Sequence, residues 1–422
     1  MLDIKQIRKE KERIEKLVQT KEPSLTLDPI LKLDEELRQL KSESEKLLHE
    51  RNEKSKMVGD LKRDKKPADA LMQEVRTLGE RIAEIEEQLA QVDAQLTDKL
   101  SHIPNIPFDE IKVSQNKEDN VVIKVVGQKP TFDFKFKNHL ELNEKLKLFD
   151  FERAVKISGS RWASYHGLGA QLEWALLNTM LEIQQLRGFE FWLPPLMVRP
   201  PVMFASGQMP KFEGQFYEMS DKNEPLYLIP TAEVSLNGLH IDEIFEAEQL
   251  PKKYVAYTPC FRKESGAAGA EERGLIRVHQ FNKVEMFAFT KPEESEAMFN
   301  EMLSVAEEIL QALGLHYRLT LLVTGDMSFT AAKTVDIEVW LPGQNRYYEV
   351  SSVSHCTDYQ ARRSKTRYKE KGGKPEFVHT LNGSGLATSR LMVALLENNQ
   401  KSDGSVELPP LLAEKLKRHS LG

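Results

Sequence analysis

Arg262 and Glu264 stand two residues apart in FRKE (261–264). Arg277, His279, Phe281, Lys283 and Glu285 keep the same interval after a polar stretch, SGAAGAEERGL (265–275). Alternate residues of a strand share a face, so each set predicts one face, and the two strands predict a long hairpin. A guanidinium, carboxylates and an aromatic ring on one face suit a nucleotide: arginine for phosphate, a carboxylate for an exocyclic amine, phenylalanine for stacking on a base. On an exposed strand the same residues make an ion-pair ladder, which is the plainer reading. A second group is TLNGSGLATSR (380–390). It predicts a strand that stops at glycines and a helix that follows, with Arg390 about two turns in. Glycines let a ligand approach the backbone, and a helix N-terminus favours anions. A glycine-capped turn without a ligand has the same spelling.

These groups need elements to hold them. The chain has 422 residues, a net charge of −6, 40% hydrophobic and 29% charged residues. That is enough for two or three domains and a sizeable core, and it describes a charge-rich soluble protein rather than a disordered one. No run of about 18 apolar residues suggests a membrane span, and the N-terminus lacks a signal-peptide pattern, so the expected address is the cytoplasm. Cys260 and Cys356 are the only cysteines, so neither a disulfide framework nor a zinc site is expected. Strands are predicted at 121–126, 226–229, 254–264, 275–289, 317–323, 334–341, 346–354 and 377–381. Helices are predicted at 168–187, 293–313 and 386–398. Period-2 runs with few helices between them predict an α+β fold, an antiparallel sheet flanked by helices.

The first hundred residues follow another rule. Ile30, Leu33, Leu37, Leu40, Ser44, Leu47, Arg51, Lys54, Val58 and Leu61 keep a 3,4 spacing, and so do Leu71, Val75, Leu78, Ile82, Ile85, Leu89, Val92 and Leu96. Such narrow stripes on either side of Pro67 predict an antiparallel coiled-coil hairpin, with helices roughly 50 Å long. Residues 51–66 hold seven basic side chains against three acidic ones, and 80–98 hold one against six. The basic end could meet a phosphate backbone, or the charges could simply solvate the rod. Prolines 104 and 107 mark the end of this region.

Taken in order, Gly188-Phe189 with Pro195, FRKE with Arg277 and Phe281, and GSGLATSR (383–390) resemble the three motifs of class II aminoacyl-tRNA synthetases. IPNIP (103–107), SGQMPKF (206–212), TAEV (231–234), TGDMSFTAAKTVDIEVWLP (324–342), YQARR (359–363) and HTLNGSGLA (379–387) narrow the resemblance to bacterial-type seryl-tRNA synthetases. The resemblance implies an N-terminal tRNA-binding domain at 1–104 whose coiled coil spans about 27–100, a linker at 105–128, and a catalytic domain at 129–422. The chain departs from the family at Ser235, Val353 and His355. Ala387 and Ser389 replace the glycine and glutamate of the general third motif, as is usual in this family.

The implied reaction is serine–tRNA ligation: ATP and L-serine give seryl-adenylate and pyrophosphate, and the seryl group passes to the 3′ end of tRNA(Ser), with tRNA(Sec) a further substrate. By resemblance Arg262 bridges the serine carboxylate and the α-phosphate, and Arg390 clamps the far phosphates; these two are the expected catalytic residues. The nucleotide is expected on Arg262, Lys263, Glu264, Val278, Phe281, Glu349, Val350, Ser351, Ser352 and Arg390. Serine is expected on Thr231, Glu233, Arg262, Glu285, Asn382 and Ser384, with Glu285 on the hydroxyl and Thr231 with Glu233, sharing a strand face, on the amino group. Mg²⁺ is expected on Glu349 and Ser352. Positions three apart on a regular strand face opposite sides, so joint ligation requires a bulge or a strand end there. A basic stretch at 362–374 could reach the acceptor end or remain a solvated loop. A homodimer is implied. The alternatives are an aminoacyl carrier-protein ligase on the same core and an inactive RNA-binding paralogue.

Overall fold

The computed structural model describes residues 1–220, 224–264 and 273–422. The polar residues 265–272, between the two strands of the predicted hairpin, lie outside them. The chain forms two compact units, Leu2–Ile103 and Pro104–Gly422, the second also including Met1.

The smaller unit is dominated by α1 (Asp28–Arg63) and α2 (Asp69–Ser101), which pack on each other. Both stripes face the seam: Ile30, Leu37, Ile82, Ile85, Val92 and Leu96 are buried, and the other stripe positions are half-buried at least. The polar seam positions are accommodated individually. Ser44 is buried, and Lys54 Nζ reaches Glu50 and Glu74, each at 2.8 Å, the second across the helix pair. Arg81 makes a second cross-link to Glu43 at 3.2 Å.

The larger unit is built on an eight-stranded sheet. Its strands are β1 (Val121–Val126), β2 (Glu190–Trp192), β3 (Lys252–Phe261), β4 (Gln280–Thr290), β5 (Tyr317–Leu321), β6 (Lys333–Leu341), β7 (Arg346–His355) and β8 (His379–Ala387). Their order is β1-β5-β6-β7-β8-β4-β3-β2, antiparallel except for the parallel β2–β3 edge. Three long helices, α3 (Leu168–Leu186), α4 (Ser295–Ala312) and α5 (Thr388–Asn398), supply buried side chains to the main hydrophobic core. Their apolar faces and the strands' inward residues share that core; on the opposite face Tyr254, Ala256, Phe287 and Phe289 join a second apolar cluster with Ala232 and Leu236, and polar residues line the rest.

Three sequence readings need correction. The segment 105–128 is a linker only in part: Asn105 N–H donates to the Phe329 carbonyl and Phe108 N–H to that of Ala332, and β1 is the outer strand of the main sheet. The strand at 377–381 does not stop at its glycines. It divides into Glu376–Phe377 and β8, and β8 runs through Gly383 and Gly385. Those glycines serve packing, since a Cβ on Gly385 would fall 1.7 Å from Gln184 Nε2 of α3. Arg390 is therefore in the first turn of α5, not two turns in. The basic stretch 362–374 is divided in use. Arg363 is buried against the rings of Phe204, Phe329 and Tyr359, while Lys369, Lys371 and Lys374 are exposed.

Candidate active site

The polar face of the sheet carries a cavity of about 630 Å³, joined to a smaller chamber of about 90 Å³. Arg262, Glu264, Arg277, Lys283, Glu349 and Ser384 line both, so they mark the junction. β3 and β4 form the predicted hairpin in continuous register, from Gln280 opposite Phe261 to Phe289 opposite Lys252. Period 2 on β4 turns Lys283 and Glu285 into the large cavity, and the same rule on β8 turns Asn382 and Ser384 into it.

The hairpin face is shorter than the spacing suggests. β3 ends at Phe261, and Arg262 and Glu264 lie beyond it, with Glu264 at a φ of 46°. Glu264 still lines the cavity, held by Arg277 at 2.6 Å. Arg262 N–H donates to the His279 carbonyl at 2.9 Å, and its guanidinium lies 5.2 Å from the Phe281 ring centre. His279 belongs to neither chamber; its ring packs on Trp162 at 5.6 Å.

Thr231 and Glu233 do not share a strand face. Thr231 is the N-cap of the short helix Ala232–Gly238, where its hydroxyl accepts from Glu233 N–H at 3.3 Å, and both side chains line the cavity. Glu233 is buried beside Glu285, and its carboxyl is pushed up to about 7, first by burial and then by that neighbour. Gln360 donates to Glu233 at 2.6 Å and Asn382 donates at 3.2 Å, which orients the acid. Ser384 donates to Glu285 at 3.2 Å.

Of the two arrangements that would let Glu349 and Ser352 act together, a bulge or a strand end, the structure has the bulge. Glu338 faces Glu349 and Ile337 faces Ser351, so Val350 is the extra residue, and Glu349 and Ser352 both line the large cavity. A second irregularity sits where Lys283 and Glu285 pair with Ala387 and Ser384, and Leu386 there has a φ of 140°. Arg390 reaches over β7, donating to the Glu349 carbonyl at 2.8 Å and to the Ile276 carbonyl at 3.2 Å.

Arg262, Phe281, Val278, Val350 and Arg390 meet in the small chamber. Thr231, Glu233, Lys263, Glu285, Ser352, Asn382 and Ser384 meet in the large one. Ser351 is the exception, since its buried hydroxyl turns back to the Ser384 carbonyl. Lys283 in the cavity wall and Gln360 behind Glu233 are among the polar residues to which sequence assigned no role. Lys283 was placed on the right face but given no partner, and Gln360 was visible only as part of YQARR. The departures from the family lie behind the wall. Val353 packs below Gly383, His355 is buried against Phe108, and Ser235 donates to the Pro195 carbonyl at 2.8 Å.

Comparison with known proteins identifies the family. The description "tRNA synthetase class II core domain (G, H, P, S and T)" matches residues 217–399, and "Seryl-tRNA synthetase N-terminal domain" matches residues 1–107. The chain is 56% identical to the serine–tRNA ligase of Chlamydia pneumoniae, covering 98% of this chain and 96% of that one. It is 53% identical to that of Chlamydia abortus, covering 100% and 99%. Among solved structures, the seryl-tRNA synthetase of Pyrococcus horikoshii with ATP superposes with a TM-score of 0.93 at 38% identity, covering 100% and 99%. The cytoplasmic enzyme of Naegleria fowleri with AMP gives 0.87 at 29%, covering 100% and 98%. With this fold, the seryl-tRNA synthetase N-terminal domain and more than half of its residues identical to the Chlamydia pneumoniae relative over nearly the full length, the chain belongs to the seryl-tRNA synthetase family.

Proposed function

We propose that the protein is a serine–tRNA ligase, and that the two joined chambers hold serine and ATP with the reacting atoms at their junction. The observation that carries this reading is the convergence of Arg262, Phe281 and Arg390, from three separate segments, on one chamber that opens into the acid-lined cavity. A serine carboxylate oxygen attacks the α-phosphorus, the bond to the β-phosphate oxygen breaks, and pyrophosphate leaves. Two anions must be brought together, so cations and orientation supply the rate and no protein nucleophile is needed. Arg262 sits at the junction, where it reaches both anions. Phe281 offers a face to adenine, and Glu264, fixed by Arg277, accepts from its amino group.

Serine recognition rests on acids. Glu285 takes the hydroxyl, and alanine and glycine are disfavoured because they forgo that charge-assisted hydrogen bond. Glu233 takes the ammonium. The tRNA 3′ ribose hydroxyl then attacks the acyl carbon and AMP leaves.

Mg²⁺ fits the site beyond the junction. Asp336 Oδ1 is buried without a hydrogen-bond partner, and its carboxyl is pushed well above the ordinary range by burial and then by Glu349. Glu349 and Ser352 are the hard oxygen donors that would hold the ion, which when bound neutralises phosphate charge. Among the described residues there is no group of three His, Cys, Asp or Glu that could hold a metal.

The coiled-coil unit is read as the grip on tRNA(Ser), by shape and backbone, with its basic end on phosphates. The resemblance extends this to tRNA(Sec). A homodimer is supported by the exposed apolar residues Trp174, Leu186, Phe191 and Leu193, clustered around edge strand β2 and the helix before it. No helix among the described residues is long and apolar enough to cross a membrane. ATP–pyrophosphate exchange measured with each of the twenty amino acids tests the reading. Exchange with serine above all others is expected; exchange with none, or with another amino acid first, overturns it.

A further inference from the structure

SGQMPKF (206–212) marks the family resemblance, yet the serine and ATP sites leave it unused. With the residues that follow, it lines the large chamber through Gly207, Gln208, Phe212 and Gln215. This wall is tied to both ends of the serine pocket. At one end Gln360 Nε2 donates to the Ser206 carbonyl at 2.9 Å and to Glu233 at 2.6 Å. At the other, Lys263 N–H donates to the Gln215 carbonyl at 3.2 Å, next to Arg262. In between, buried Arg363 donates to the Met209 carbonyl at 3.0 Å. A seryl group held at Glu233, Glu285 and Arg262 therefore lies alongside this wall.

The chamber is also far larger than serine needs. Its volume of about 630 Å³ is that of a site for a drug-sized ligand. The unused part carries groups that suit a nucleoside. The Phe212 ring packs on the apolar cluster of Met203 and Phe216 and stays half-buried, which makes it a fixed platform for a base. The side-chain amides of Gln208 and Gln215 have no hydrogen-bond partner among the described residues, and each offers donors and an acceptor. Exposed Lys211 places its ammonium 5.7 Å from the ring centre of Phe329, which lines the same chamber.

We propose that this wall is the subsite for the 3′-terminal adenosine of the tRNA. The base stacks on Phe212, Gln208 and Gln215 take the polar groups of the nucleoside, and Lys211 faces the phosphate that precedes it. This rests on the proposed serine–tRNA ligase function and names where its second substrate seats its reacting end.

The test measures two steps on the full chain: serine-dependent pyrophosphate exchange, which needs no tRNA, and seryl transfer to tRNA(Ser). Phe212→Ala should lower kcat/KM for transfer by roughly tenfold or more, the range for loss of one base stack. Exchange should stay within about twofold, which also shows that the fold survives. Phe212→Tyr keeps an aromatic face and should retain most of the transfer. Gln208→Ala should cost transfer about fivefold. A tRNA(Ser) lacking its terminal adenosine should inhibit the parent and Phe212→Ala equally, because the contact that differs is then absent from both. Transfer within twofold of the parent in both alanine variants would overturn the proposal. So would equal losses in exchange and transfer, or weaker binding of the shortened tRNA to Phe212→Ala. Absence of serine-dependent exchange in the parent protein would instead refute the functional reading.

Discussion

The coiled-coil unit and the two-chambered cavity are built by opposite routes. In the first, each residue's neighbours are three or four positions away or directly across one seam, and a repeating stripe suffices. In the second, Thr231, Arg262, Lys283, Glu349, Asn382 and Arg390 come from six segments and meet only when the sheet is complete. The rod tolerates Ser44, Arg51 and Lys54 in its seam, because a narrow interface loses little from one polar position. The cavity has no such tolerance, because each buried polar group there depends on a particular partner. Substitutions in the cavity should therefore abolish one step outright, and changes in the rod should act by degrees.

The largest effect is expected at Glu285. Glu285→Ala should lower serine-dependent exchange by roughly 10³-fold or more, because the hydroxyl loses its acceptor. ATP affinity, measured by titration, should stay within about threefold. Exchange within tenfold of the parent would remove Glu285 from the hydroxyl. Next comes the rod. Deleting residues 30–97 should leave exchange nearly intact and reduce tRNA aminoacylation by about 10²-fold or more, through loss of phosphate contacts. Unchanged aminoacylation would sever that unit from tRNA.

A smaller, graded effect is expected from Glu233. Its carboxyl titrates at about 7, and only the ionised form attracts the serine ammonium. The proton is held more tightly in the folded chain than in the unfolded one, so serine binding should strengthen as pH rises through 7. The serine KM should fall severalfold between pH 6 and pH 8, and Glu233→Gln should flatten the profile. A profile that is flat in the parent would contradict the shift. The smallest change is expected at Ser44, buried in the seam. Ser44→Leu should stabilise the helical pair by about 1 kcal/mol in urea unfolding, with exchange rates unchanged. Destabilisation would show that the serine is needed there.

The same contrast explains what the sequence made legible. The 3,4 stripes predicted α1 and α2 nearly to their ends, and period 2 predicted the β3–β4 hairpin and the inward turn of Lys283 and Glu285. Asking how Glu349 and Ser352 could act together called for a bulge or a strand end, and the bulge at Val350 is the one found. The glycines of β8 were misread because their reasons are distant in sequence, Gln184 against Gly385 and Val353 with Met302 against Gly383, rather than a local turn. TAEV was misread as a strand because a capping threonine followed by a short helix is too brief for a period to show. The partnerships of Lys283 with Thr231 and of Gln360 with Glu233 span 52 and 127 residues, and no local pattern encodes them.

The claim that one two-chambered cavity serves both substrates is tested most directly by a crystal structure with a non-hydrolysable seryl-adenylate analogue. The account predicts the adenine on Phe281, the acyl-phosphate mimic at Arg262, and the seryl hydroxyl within hydrogen-bond distance of Glu285. An analogue bound with its seryl group outside the pocket of Thr231, Glu233 and Glu285, or with its base away from Phe281, would contradict it.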